Sequence, residues 1–218
     1  YTFELKVVFE DEFLAVINKP AGLTVSGNTY KTLYNALPHN LAPSSEIDAL
    51  ARPTPVHRLD NQTSGLLLIA KTKTAQIELG KQFENNTIQK FYKTIVIGKV
   101  TSNDDINEPI ENKIAKTSFE IEAVERSLKY QYLSLLTVSP KTGRTHQIRI
   151  HLASLGHPIL GDKLYTDQKT LLKGKGLFLC ASEVVFLHPK TGNYLRFKID
   201  PPKKFDTYLN REKIRWAT

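Results

Sequence analysis

Cysteine occurs once in the 218 residues, as Cys180, and methionine not at all. A single thiol cannot close an intrachain disulfide, and no Cys/His cluster has the spacing of a zinc site, so a disulfide scaffold and a structural metal are both excluded. That usage fits a reducing, cytoplasmic setting. Long apolar runs are missing too. The stretch from Gly65 to Ala70 is typical of the longest, far short of the roughly 20 residues that a membrane-crossing helix needs. Tyr1 to Glu10 carries charges and no secretory pattern. Internal repeats, low-complexity tracts and Gly/Ser linkers are absent, and 218 residues suffice for one large domain or two small lobes with a shared core. A chain that opens at Tyr1 and holds no methionine also has the pattern of a trimmed piece of a longer protein.

Negative charge is scarce where it is most informative. The chain carries 30 basic and 22 acidic residues, for a net +8. Residues 1–100 hold 11 basic and 9 acidic side chains, residues 101–125 hold 2 and 7, and residues 126–218 hold 17 and 6. A basic C-terminal half suits a polyanion, with RNA or DNA the obvious candidate, although many basic proteins bind no nucleic acid.

Hydrophobic patterning predicts strands at Leu5–Phe9 and Phe13–Asn18 around the acidic turn Glu10-Asp11-Glu12, then a loop at Lys19-Pro20-Ala21-Gly22. A short helix is expected at Thr32–Leu37 and irregular chain from Pro38 to Pro55. Leu66–Ala70 reads as a buried strand, and Thr74–Phe83 as a helix with Ala75, Leu79 and Phe83 on one face. Strands follow at Ile88–Val100, at Ser118–Glu125 and at Tyr130–Val138, the last two as a hairpin. Thr145 is the expected N-cap of a helix running to about Leu155, which Gly156 and Pro158 end. Leu177–Leu187 and Tyr194–Ile199 are further strands, and Lys203–Arg215 a surface helix. Strands and hairpins outnumber helices and βαβ units, which points to an α+β fold with a large, mostly antiparallel sheet.

Three clusters carry chemistry. In Val56-His57-Arg58-Leu59-Asp60, a lone carboxylate sits in a polar turn just before the apolar run, where a buried strand presents it rigidly and it can serve as a nucleophile. A salt bridge that staples a loop would contain the same residues. Gly143 to Tyr165 places Arg144, His146 and Arg149 about a helix start, a setting that favours anions. A buried arginine there demands a carboxylate, and Asp60 is the natural choice. His146 and His151, five residues apart, are read as satisfied core histidines, since that separation is wrong for two metal ligands on one helical face. In Gln89-Lys90-Phe91-Tyr92-Lys93, Lys90 and Tyr92 share a strand face. A tyrosine on a cleft can stack on a base, whereas a structural strand tyrosine is the commoner case.

Together these pieces resemble the RluA-type family of pseudouridine synthases. Asn18-Lys19-Pro20-Ala21-Gly22 resembles the family's opening motif, and His57-Arg58-Leu59-Asp60 with Thr63-Ser64-Gly65-Leu66 its catalytic motif. Lys90 and Tyr92 match the tyrosine motif, Gly143 through Asp162 the arginine motif, and Ala181 to Gly192 the closing segment. The order is the family's, over more than 150 residues. One departure is Ser26-Gly27, where many members carry a histidine or proline after Val25. The resemblance implies two lobes of mixed sheet flanked by helices, with a central cleft for RNA, and isomerisation of uridine in ribosomal or transfer RNA without metal or organic cofactor. Carried over by position, Asp60 is the catalytic carboxylate, Tyr92 stacks on the target base, Arg149 pairs with Asp60, and Arg58 fills the space left by the flipped nucleotide. Lys90, Arg144 and His146 are taken as further RNA contacts. A monomer, away from membranes, is expected.

Other classes fit less well. A kinase loop would read His-Arg-Asp, but Leu59 separates Arg58 from Asp60, and neither a kinase-type glycine loop nor Asp-Phe-Gly occurs. A glycosidase would need a second carboxylate as acid, and none accompanies Asp60 in its motif. A non-catalytic RNA-binding or RNA-folding module remains the alternative. A pure binder has no need of a carboxylate where a polyanion sits.

Overall fold

The computed structural model describes residues 1–217. The chain forms two compact units, one of Tyr1–Gln89 with Glu183–Ile199, the other of Lys90–Ser182 with the segment from Asp200 onward. Within each, every strand pair whose register is defined is antiparallel, and the α+β expectation holds.

In the first unit, β1 (Lys6–Glu10) and β2 (Leu14–Lys19) form a hairpin. The Asp11 carboxylate fixes its turn by accepting from the N–H groups of Phe13 and Leu14 at 2.7 and 2.8 Å. β2 pairs with β4 (Ser64–Thr72), whose nine residues are all buried. This explains the uninterrupted apolar run, because a strand covered on both faces has no solvent side to mark with polar residues. Thr72 then caps α2 (Lys73–Glu84), its hydroxyl accepting from Ala75 N–H at 3.1 Å. Leu79 of α2 packs with Leu14, Val16, Leu66 and Leu68 in the core, with Phe83 partly buried against them. The hydroxyl of Thr32 likewise caps α1 (Leu33–Asn40).

The stretch expected to be irregular contains β3 (Ala49–Pro55), which pairs with β4 through a register shift between Ala49 and Thr54. Pro53 and Pro55 hide it from a periodicity reading. An edge strand tolerates residues that cannot donate to a ladder, and among the described residues β3 pairs with β4 alone. The part of β9 (Leu179–Leu187) from Glu183 on forms a hairpin with β10 (Tyr194–Lys198) in this unit. Its turn is organised by His188, whose Nδ1 accepts from Lys190 and Thr191 N–H, both at 3.1 Å, while Nε2 meets Asp11 Oδ2 at 2.8 Å.

In the second unit, β5 (Gln89–Ile97), β8 (Gln131–Pro140), β7 (Thr117–Ser127) and the three-residue β6 (Asp104–Ile106) lie side by side in that order. β6 is too short and polar to be legible in sequence. α3 (Gln147–Ser154) starts one residue later than expected, at an N-cap formed by His146 in the left-handed region (φ 55°), not by Thr145. No side chain of the cap residue bonds the helix. Gln147 instead ties the helix start to its surroundings: its Oε1 accepts from Arg144 N–H at 3.0 Å and its Nε2 donates to Lys116 O and Thr117 Oγ1, each at 2.9 Å. α4 (Lys204–Ala217) buries Phe205, Tyr208, Leu209 and Glu212, a stripe at helical spacing, and packs on β7.

Candidate active site

In the first unit, two motifs 40 residues apart in sequence close on each other. Lys19, at the end of β2, is fully buried, and its ammonium donates to the carbonyls of Pro20, Leu23 and Asn61 at 3.0, 2.8 and 3.1 Å. Asn61 returns the contact: its carbonyl accepts from Gly22 N–H at 2.7 Å, and its amide donates to Gly22 O and Thr24 Oγ1. The residue immediately before this anchor is Asp60, half-buried, in a turn closed by Thr63 N–H donating to Asp60 O at 3.1 Å. Burial pushes the Lys19 ammonium down to about 8, against an upward pull from the charge of Asp60. Lys19 therefore stands close enough to Asp60 to be felt electrostatically, while its own bonds go to neutral carbonyls. Thr63 keeps a buried hydroxyl without a hydrogen-bond partner among the described residues, an uncompensated polar atom of the kind found at functional sites.

His57 is structural. Its Nε2 accepts from Leu68 N–H at 3.0 Å and its ring stacks on Phe83 at 4.5 Å. This ring takes the place of a ladder partner just where β3 has ended and ties the turn to β4. Leu59 is buried, while Arg58 points outward as an exposed side chain. The alternation across Arg58, Leu59 and Asp60 follows from anchoring the middle residue in the core.

The second unit carries Lys90, Tyr92, Arg144, His146 and Arg149. Arg149 is buried on α3, as expected, and the carboxylate that meets it within this unit is Asp162, not one considered from the sequence. Its Nε and Nη2 donate to Asp162 Oδ2 and Oδ1 at 2.7 and 2.8 Å. Burial alone would raise the Asp162 carboxyl, but the Arg149 fork and the N–H groups of Leu164 and Tyr165 hold it below the usual carboxylate range. The Arg149 guanidinium also lies over the Tyr165 ring, 5.1 Å from its centroid, and Tyr165 OH meets His146 Nδ1 at 2.9 Å. Asp162 and Tyr165 were missed because nothing periodic links them to Arg149. The one signal was Gly161-Asp162: at Gly161 (φ 81°) a Cβ would fall 2.0 Å from Gly176 O, so the chain must be glycine to deliver Asp162 here.

His151 is the satisfied core histidine expected, with Nδ1 and Nε2 meeting Thr117 Oγ1 and Glu108 O at 2.9 and 3.0 Å. Lys90 and Tyr92 fall on the same face of β5, opposite Lys93, which bonds Glu122 and Thr137. Burial lowers the Lys90 ammonium below its ordinary value, and the like charge of Lys141 adds to that. Arg144 is exposed, with Nε donating to Ile114 O at 3.0 Å. Among the described residues no His/Cys/Asp/Glu group is arranged to hold a metal ion, and no helix is long and apolar enough to cross a membrane.

The relatives of this α+β chain define its class, an isomerase acting on RNA. The family model described as RNA pseudouridylate synthase matches residues 13–154. An uncharacterised RNA pseudouridine synthase of Aquifex aeolicus is 39% identical over 92% of this chain and 71% of its own length. The ribosomal large subunit pseudouridine synthase D of Zymomonas mobilis is 36% identical over 91% of this chain and 70% of its own. In fold, human RNA pseudouridylate synthase domain containing 4 superposes with a TM-score of 0.73 at 23% identity, covering 94% of this chain and 92% of that one. The chain belongs to the RNA pseudouridylate synthase family, and its reaction is the isomerisation of uridine in RNA to pseudouridine.

Proposed function

We propose that residues 1–218 act as one catalytic domain that isomerises specific uridines of ribosomal RNA, with Asp60 as the catalytic carboxylate. The observation that carries the reading is the anchoring of the Asp60 turn: Asn61 and Lys19 tie it to the Lys19–Thr24 loop, and Leu59 and His57 tie it to the core. Ribosomal RNA is favoured over transfer RNA by the name of the Zymomonas relative, a ribosomal large subunit pseudouridine synthase. A cytoplasmic monomer is the working form.

The chemistry asks for such a carboxylate. The C1′–N1 bond breaks, the uracil turns, a C1′–C5 bond forms, C5 loses a proton and N1 gains one. Nothing is oxidised or lost, so the protein's own groups suffice in principle. A carboxylate beside the anomeric carbon stabilises or traps the electron-poor sugar, as in retaining glycosidases. The uracil is retained, which fits the lack of a second carboxylate in the motif. The target must leave its stack, at a cost of a few kcal/mol. Exposed Arg58 offsets part of that cost by filling the gap, and Tyr92 stacks on the extruded base. Arg149, oriented by Asp162, is the partner assigned to Asp60, while Lys90, Arg144 and His146 contact RNA.

The test is carbodiimide mapping of large-subunit ribosomal RNA treated with wild type, Asp60→Asn and Asp60→Ala. Wild type should introduce one or a few new stops. Both variants should lose at least about 10³-fold in rate, the scale of removing a central catalytic group, while filter binding of the RNA persists. Activity surviving in both variants would remove Asp60 from the role.

A further inference from the structure

We propose a second RNA contact at the far end of the β7–β8 hairpin: a cation–aromatic platform of Arg126, Tyr132, Trp216 and Lys99 on which single-stranded RNA bases stack. It rests on the reading that RNA is the substrate and lies apart from the residues assigned to the reaction. Gln147 bonds Thr117 at the start of β7. At about 3.3 Å per residue, the run from Thr117 to Arg126 puts the platform roughly 30 Å from that end.

Four elements of the second unit bring these side chains together. Arg126 on β7 and Tyr132 on β8 are cross-strand partners. The Arg126 guanidinium lies 4.6 Å from the Tyr132 ring centroid and 5.1 Å from that of Trp216, on the last turn of α4. Lys99, just beyond β5, lies 5.5 Å from the Tyr132 ring, and Lys129 in the hairpin turn lies 4.9 Å from the Tyr130 ring. Four cation–ring contacts thus meet at one hairpin end.

The surroundings suit a polyanion with stacking bases better than a protein partner. Trp216 is 47% exposed and Leu128 65%, a large apolar area to leave in water. Cations dominate around them: Lys99, Arg126, Lys129, Arg211, Lys213 and Arg215. The two carboxylates nearby are engaged by protein groups, Glu212 also facing Arg211 and Arg215 at 3.5 and 3.9 Å. Glu212 is buried, with Ser127 Oγ donating to it at 2.6 Å, and Glu125 faces Lys213 at 3.8 Å. Aromatic rings offered among cations that outnumber the nearby acids form a sequence-tolerant single-strand platform.

The chain's one tryptophan reports on this site directly. A uridine-rich single-stranded RNA of about ten nucleotides, long enough to cover one such platform, is titrated into the protein, reading Trp216 emission and the anisotropy of a dye on the RNA together. Quenching should saturate at the RNA concentration where anisotropy does. Trp216→Leu and Tyr132→Leu should each weaken binding by about five- to tenfold, the low end for loss of one stacked base. Arg126→Ala should lower the salt slope of log affinity by about 0.7, one phosphate contact on a single strand. Anisotropy that rises while Trp216 emission stays constant would overturn the platform, as would unchanged affinity in Trp216→Leu and Tyr132→Leu. Emission that changes on dilution without RNA, with a matching change in molecular mass, would instead make this face a contact between copies and also overturn it. The separate reading of Asp60 is distinguished by product: Trp216→Leu at saturating RNA should still form pseudouridine at the wild-type rate. Quenching by a protein that forms no pseudouridine would keep the platform and drop the activity.

Discussion

Lys19 and Arg149 are both buried cations, one in each unit, and the protein solvates them in opposite ways. Lys19 is held by three neutral carbonyls. Arg149 is held by the two oxygens of Asp162. Dipoles satisfy the hydrogens of an ammonium without cancelling its charge, and burial loosens the Lys19 proton while the charge of Asp60 pulls the other way. A bidentate carboxylate neutralises the guanidinium where it stands, fixes its plane, and is itself held ionised. Beside the proposed catalytic carboxylate the charge is left to act; on α3 the side chain is locked in position.

The largest effect should come from breaking the locked pair. Asp162→Asn removes the carboxylate that grips the buried Arg149 guanidinium through two oxygens and should cost about 3–5 kcal/mol of folding stability, the scale of breaking a buried pair. Urea denaturation at neutral pH reads it, and a loss under about 1 kcal/mol, the size of an exposed pair, would mean that solvent reaches Arg149.

Lys19→Met should cost less, about 1–3 kcal/mol, because it strands carbonyls and not a charge. The pH dependence sharpens the contrast. Lys19 falls from 10.5 to about 8 on folding. Between those values the unfolded chain holds a proton that the folded chain has released, so this group's contribution to stability rises with pH in that window and is flat at its lowest below it. The stability difference between wild type and Lys19→Met should therefore grow from pH 7 to pH 9.5 in paired urea melts. A constant difference would show that Lys19 keeps its proton. The smallest effect belongs to a site with no buried charge: Thr72→Ala, which removes the cap of α2, should cost about 1 kcal/mol in the same melts.

The parts that were legible follow from short-range physics. The apolar run of β4, the 75/79/83 face of α2 and the β7–β8 hairpin each obey a periodicity that burial imposes on neighbours in sequence. β3 escaped because prolines at a sheet edge break that periodicity, and the start of α3 because a left-handed His146 took the place of an ordinary cap. Asp60, Arg58 and Arg149 stood out as candidates from the order of their motifs, and their roles are the proposal above. The partners were harder. Arg149 had to have a carboxylate, yet Asp162 was indistinguishable from any other acid until Gly161 was seen to bring the chain against Gly176.

By itself the sequence determined which groups are available: a carboxylate in a turn before a buried strand, a lysine where a strand breaks, arginines about a helix start, and a basic C-terminal half. The tertiary structure decided which of them answer each other. It set Lys19 on Asn61 next to Asp60, Asp162 on Arg149, and the single tryptophan on Arg126. Burial leaves a repeating mark along the chain because successive side chains alternate or rotate in a regular way. An electrostatic partner is selected by distance in space, and across a loop that distance leaves no regular mark in the sequence.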